Sequence, residues 1–143
     1  MIILDTTALD HMVKNDKSLK REAVITPDVQ EEYEAGYDGA LPGRISNVSD
    51  AAAFPLGEYV AAYKEMLNKH GGRSFYNMSG FGDISILALL KVQTVAASAM
   101  LLPEEITVVT ADGGLTKKIK REFLAGGANA FLSIVTPDEF FKD

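Results

Sequence analysis

Apolar residues along this chain fall into short blocks of alternating character. Ile2-Ile3-Leu4 is a continuous apolar run cut off by Asp5, and it predicts a short buried strand. Thr7 to Val13 predicts the start of a helix. Ala23-Val24-Ile25-Thr26 predicts a second strand, and Pro27 suits the first turn of a helix that runs to about Ala35 and is stopped by Gly36. Between Tyr37 and Ser49 the Gly, Pro, Asn and Ser content predicts loop. Asp50 to about His70 is helical in pattern, with breaks at Pro55 and Gly57, and is closed by Gly71-Gly72. Residues 84–102, ISILALLKVQTVAASAMLL, hold a single charge and are apolar nearly all round, which predicts a central helix packed on more than one side and stopped by Pro103. The β-branched run Ile106-Thr107-Val108-Val109 predicts a strand. Leu115 to Leu124 predicts an amphipathic helix ended by Gly126-Gly127, and Ala130 to Val135 a last strand. Strands alternating with helices predict βαβ units: one domain over residues 1–143, an α/β fold built as a three-layer α/β/α sandwich around a central parallel sheet.

Composition narrows the classes open to such a fold. With 143 residues, 47% of them apolar and 24% charged, the chain suits one globular domain, which buries roughly 68–70% of the surface its unfolded chain exposes. No uncharged apolar run approaches the ~20 residues of a membrane span, and Asp5 interrupts the only N-terminal run a secretory signal could use. A cytoplasmic location is the expectation. The chain contains no cysteine, which excludes disulfides and thiolate metal sites. A net charge of −6 argues against nonspecific binding of polyanions, so a nucleic-acid substrate would need cations to assist it.

Candidate chemistry comes from where the acids stand. Asp5 follows the first strand, Asp112 follows the Ile106–Val109 strand within three residues, and Asp83 sits immediately before the long apolar helix. Glu32 lies in the first-turn region of the Pro27 helix. Ligands of open parallel sheets bind beyond the carboxyl ends of the strands, where at least two of these acids belong. Each of Asp5, Asp83 and Asp112 also reads as an N-cap, and Glu32 as a solvated acid beside Glu31 and Glu34. Convergence favours the other reading: carboxylates gathered at one edge repel unless a hard divalent cation neutralises them, and Mg²⁺ or Mn²⁺ suits such oxygen donors. That chemistry acts on phosphate esters.

Four segments carry a resemblance along essentially the whole chain. IILDTTAL, ITPDVQEEYEAG, GFGDISILALL and VVTADGGL resemble, in order and interval, the successive acidic motifs of PIN-domain ribonucleases. The resemblance implies a Mg²⁺- or Mn²⁺-dependent endoribonuclease acting on single-stranded or structured RNA, with Asp5, Glu32, Asp83 and Asp112 as the catalytic and metal-binding residues and Glu31 as the rival for the second position. Thr7 stands where many relatives carry Asn or Ser. Gly113-Gly114 replaces bulkier polar or acidic residues, so one metal is as open as two. The resemblance also implies a homodimer, and either a toxin of the VapC type with an antitoxin partner or an RNA-processing role.

Around the acids, the hydroxyls of Thr6, Thr7 and Thr110 could bind the phosphate or the carboxylates, Thr110 being the most structural of them. Lys117, Lys118, Lys120 and Arg121, with Arg44 and Arg73, could line a phosphate track, or the lysines could form a solvated helix face. Phe75, Tyr76 and Phe81 could stack on bases, with core packing or a dimer contact as the plainer alternative. His11 and His70 read as surface residues. Two other classes stay open: a catalytically silent PIN-like binding module in which the acids are caps, and a receiver-like signalling domain. The latter would want an acidic pair at the first strand and a lysine after the last, and the sequence shows neither.

Overall fold

A computed structural model describes residues 1–37, 40–71, 80–125 and 130–142. Five strands form one all-parallel sheet: β1 (Ile2–Leu4), β2 (Ala23–Ile25), β3 (Ile45–Asn47), β4 (Ile106–Val109) and β5 (Leu132–Val135), in the order β3-β2-β1-β4-β5. Parallel pairing forces a crossover between neighbours, and among the described residues six helices supply the crossovers and flanks. They are α1 (Thr6–Lys14), α2 (Pro27–Gly36), α3 (Leu56–His70), α4 (Phe81–Ser98), α5 (Gly113–Ile119) and α6 (Pro137–Phe140). The protein is therefore a mixed α/β sandwich. All three residues of β1 are buried, as a strand covered on both faces requires, and Ile3, Leu4, Leu9, Ile25, Ile86, Leu87, Val108 and Val109 have no exposed surface at all.

Several boundaries differ from the sequence expectation. Residues 45–47 form the edge strand β3 where loop was expected; Ile45 is its only strongly apolar residue, and pairing with β2 supplies what the pattern lacks. The segment after it is a 3₁₀ turn, Val48–Asp50, and the helix begins only at Leu56, behind Pro55. Helix α4 begins at Phe81, not Ile84, because Gly80 takes a left-handed conformation (φ 85°) that aims the chain into the helix. It ends at Ser98, well short of Pro103. Leu101 and Leu102, read as part of the buried helix, are 98% and 86% exposed. By length and composition α4 could cross a membrane, yet its N-terminal half is seated in the core. The expected Leu115–Leu124 helix starts at Gly113 under the cap of Asp112 and continues past Ile119 as a π-helical turn, Lys120–Leu124. Its expected stop at Gly126-Gly127 lies outside the described residues, as does Gly72. The last strand is Leu132–Val135, and the short α6, capped by Thr136 with Pro137 in its first turn, was not anticipated.

The histidines are not surface residues. The His70 side chain is only 6% exposed and meets Glu122 at 2.8 Å, tying the end of α3 to the π-helical turn. Burial pushes the Glu122 carboxyl up, but bonds from His70 and Lys69 outweigh it and hold the group below its ordinary range. His11 stacks on Phe141, with ring centroids 5.7 Å apart, and joins α1 to the C-terminal helix.

Candidate functional site

The sheet order reverses direction at β1: β2 and β3 lie on one side, β4 and β5 on the other. In doubly wound sheets the crevice at such a switch point, beyond the carboxyl ends of the strands, is where ligands sit. Asp5 and Thr110 end the two strands that flank it, β1 and β4, and the ladder runs up to them, with the Asp5 amide donating to the Val109 carbonyl at 3.4 Å. Asp112 follows two residues after Thr110.

Asp5 is 4% exposed and fully engaged. One carboxylate oxygen accepts from the Ala8 amide (2.9 Å) and the Thr7 hydroxyl (2.6 Å); the other accepts from the Thr110 hydroxyl at 2.5 Å. Burial pushes its pKa up, the three bonds pull it down, the charge of Asp112 pushes again, and the net direction is upward. Asp5 is the N-cap of α1, so the capping reading holds here as geometry, and it does not exhaust the residue: a cap needs one oxygen, and Thr110, 105 residues away, takes the other.

Asp112 caps α5, accepting from Gly114 (2.8 Å) and Leu115 (3.2 Å). Its own amide donates to Thr110 Oγ1, and the Ala111 amide donates to Thr7 Oγ1. The threonines thus knit the ends of β1 and β4 into one hydrogen-bonded unit. Thr6 serves the next acid in the same way, donating to Glu32 Oε2 at 2.5 Å. All three hydroxyl protons of the expected phosphate-binding threonines are directed at carboxylates.

Asp83 is not a cap. It occupies the first turn of α4, where the helix dipole favours a negative charge, with Gly80 in the capping position. Its carboxyl is pushed up to about 6, first by burial and then by the charge of Asp112; Lys118, 3.9 Å away, pulls it down, while Asp5 and Glu32 push it further up. Three of the predicted acids therefore act on the carboxyl group of the fourth.

Helix α2 gives the two glutamates different surroundings. Glu32 accepts from the Gly82 amide at 3.2 Å as well as from Thr6. Glu31 instead adds its charge to that of Asp28 near the Tyr63 hydroxyl, whose pKa is raised chiefly by burial. Gly82 has to be glycine for the carboxylate to lie there, since a Cβ would stand 2.8 Å and 2.9 Å from the two Glu32 oxygens. The glycines of GFGD thus have separate duties: Gly80 turns the chain, and Gly82 admits Glu32.

Two residues the sequence reading passed over hold this arrangement. Thr26 and Ser85, both fully buried, share a 2.6 Å hydrogen bond. The Ser85 hydroxyl donates to the Gly82 carbonyl at 2.6 Å, which leaves Thr26 as donor to Ser85, while Thr26 accepts from the Val29 amide as the cap of α2. This strut fixes the start of α4 against α2, and with it Asp83 against Glu32. Its signal was present: Ser85 is the one hydroxyl in the apolar run ISILALL.

Of the expected phosphate track, Lys118 lies in the site beside Asp83, while Lys117, Lys120 and Arg121 are exposed along the same segment. Arg44 does not join them. It precedes β3 and therefore sits at the opposite, amino edge of the sheet. Phe81 opens α4, and Arg73, Phe75 and Tyr76 lie outside the described residues.

The donor set suits a hard divalent cation, being four carboxylates and neighbouring hydroxyls with no nitrogen or sulfur donor. Among the described residues, no three acidic or histidine side chains are drawn together closely enough to form a metal-binding group; hydrogen bonds from Thr6, Thr7, Thr110 and Gly82 occupy the carboxylates instead. The chain matches no protein-family model, no curated protein and no solved structure.

Proposed function

We propose that the protein is a metal-dependent endoribonuclease of PIN-like architecture, hydrolysing phosphodiester bonds of single-stranded RNA at the carboxyl edge of its sheet. The observation that carries the reading is Asp83: its carboxyl is pushed up to about 6 chiefly by burial and then by the charges of Asp112, Asp5 and Glu32, a gathering of acids beside a topological switch point. In this reading Asp5, Glu32, Asp83 and Asp112 hold Mg²⁺ or Mn²⁺, which when bound supplies a water of lowered pKa and polarises a phosphoryl oxygen. Thr7 and Thr110 keep Asp5 in place, Thr6 and Gly82 keep Glu32, and Lys118 limits repulsion at Asp83. The carboxylates deter a phosphate in the absence of cation, which makes attack depend on its presence.

The other reading, a silent binding module of the same fold, draws on the capping roles of Asp5 and Asp112. A receiver-like domain is disfavoured, since that class is wound in the order 2-1-3-4-5 and this sheet runs 3-2-1-4-5. Incubating purified protein with mixed-sequence single-stranded RNA decides. Cleavage is expected with Mg²⁺ or Mn²⁺ and none with chelator, and Asp5→Asn and Asp83→Asn should each abolish it while leaving the circular dichroism spectrum unchanged. Cleavage that persists in chelator or in both variants sinks the proposal, and its absence under every condition selects the binding module.

A further inference from the structure

At the amino edge of the sheet, opposite the acids, two adjoining concavities gather Lys17, Lys20, Arg21, Arg44 and Lys142. These are five of the chain's 14 basic residues, and Asp16 is the one acidic side chain among the described residues lining them, so the rest of the chain has 9 basic to 19 acidic residues. The larger concavity is about 420 Å³, the size of a small-ligand site, and Phe140 and Phe141 form part of its wall.

Three of these five cations have no carboxylate partner among the described residues. Lys14, Lys69 and Lys118 each meet a carboxylate, whereas Lys20, Arg21 and Lys142 are exposed and, among the described residues, stand in no ion pair. The loops that carry them are braced. The Arg44 guanidinium donates to the Lys20 carbonyl, and its own carbonyl accepts from the Ala23 amide at 2.9 Å. These bonds hold Arg44 at a left-handed φ of 68°, a conformation unfavourable for a residue that carries a side chain. On the other loop, Asp16 (φ 50°) forms the left-handed end of α1, where the Lys17 amide donates to the Met12 carbonyl at 2.9 Å.

We infer that this basic concavity binds the phosphodiester backbone of single-stranded RNA, with a base against Phe140, as an anchoring site separate from the acids. The acid cleft repels a polyanion, so attraction has to come from another face, and this one gathers five cations with a single acidic side chain among its described lining residues. Phosphates repeating along a strand match several cations on one rim, and a phenylalanine beside them offers the stacking face that single-strand binders use. The inference rests on the reading of the chain as acting on RNA.

Its test reads binding alone: anisotropy of a fluorescent single-stranded RNA, in chelator, over a range of salt. Replacing Lys20, Arg21 and Lys142 together by alanine should weaken binding by about tenfold or more at low salt and flatten the log-log salt slope by ~2, at ~0.7 per lost contact. Lys64→Ala, an exposed lysine on α3 outside both positive segments, should change neither. All four positions are exposed, and unchanged melting temperatures will show that the variants are folded. A triple variant that binds like wild type, or a control that loses as much, overturns the inference. Binding that depends on the three residues in a protein that never cleaves RNA would instead sink only the nuclease reading.

Discussion

Asp83→Asn removes one charge from the crowded edge while preserving the shape of the side chain, and without divalent cation it should stabilise the protein at neutral pH. The difference between 3.8 in the unfolded chain and about 6 in the folded one corresponds to ~3 kcal/mol of unfavourable ionisation once the group is fully charged. The side chain is 21% exposed, and solvent screening reduces this to roughly 1–2 kcal/mol. Loss of a negative charge from the first turn of α4 subtracts about 0.3–1 kcal/mol. A net gain near 1 kcal/mol is expected, which for a chain of this length raises the melting temperature by about 3 °C. The sign with pH follows from the raised folded pKa. Below pH ~4 Asp83 is protonated in both states and wild type suffers no penalty; the penalty grows as pH rises from ~4 to ~6 and is constant above. Thermal unfolding of both proteins in chelator from pH 4 to 8 should therefore show curves that converge in acid and separate through that window. Mn²⁺ should reverse the order, stabilising wild type by ~2.7 kcal/mol at 100 times its dissociation constant and the variant far less. A variant less stable than wild type at pH 7 in chelator, or a difference that ignores pH, would refute the argument that the acids share one site.

Gly82→Ala separates the site from the fold: the new Cβ displaces the Glu32 carboxylate, so RNA cleavage should fall by at least about tenfold, while stability holds or rises by up to ~1 kcal/mol because alanine is the better helix former. Cleavage assays and thermal melts on the same preparation check both halves, and full activity would remove Glu32 from the site. Ser85→Ala strands the Thr26 hydroxyl proton in the core, costing ~1–3 kcal/mol; urea unfolding should show a lower midpoint with an unchanged slope, and an unmoved midpoint would deny the strut.

The parts of this molecule that were legible in its sequence are those where local pattern and tertiary role agree. Ile2-Ile3-Leu4 and Ile106 to Val109 read as buried strands because central parallel strands are apolar on both faces, and Asp5 and Asp112 could be placed at the crevice because they end or closely follow those runs. Where the deciding partner is distant in sequence, the reading failed. Nothing in Ile45-Ser46-Asn47 says strand until β2 pairs with it, and His70 cannot be known to be buried until Glu122 is set beside it. Arg44 was grouped with the Lys117 helix on charge alone, although the strand that follows it carries it to the opposite edge. The apolar run at 84–102 predicts a helix packed on more than one side, but Leu101 and Leu102 lie beyond the helix end, where no periodicity applies.

The bond from Thr110 to Asp5 spans 105 positions of the chain, and β1 lies in the middle of the sheet although it is made first. A chain growing from its N-terminus acquires Asp5, Glu32 and Asp83 long before β4 exists to pair with β1. Such long-range pairing is the slow, late part of folding, because the entropy of closing a large loop has to be overcome before any contact forms. The gathering of Asp112 with the other three acids therefore waits on β4. A fragment stopped short of residue 106 carries three of the four acids and not the strand that brings the fourth beside them. Topology thus sets the order in which the carboxylates meet, with the last of them arriving on the strand that pairs with β1.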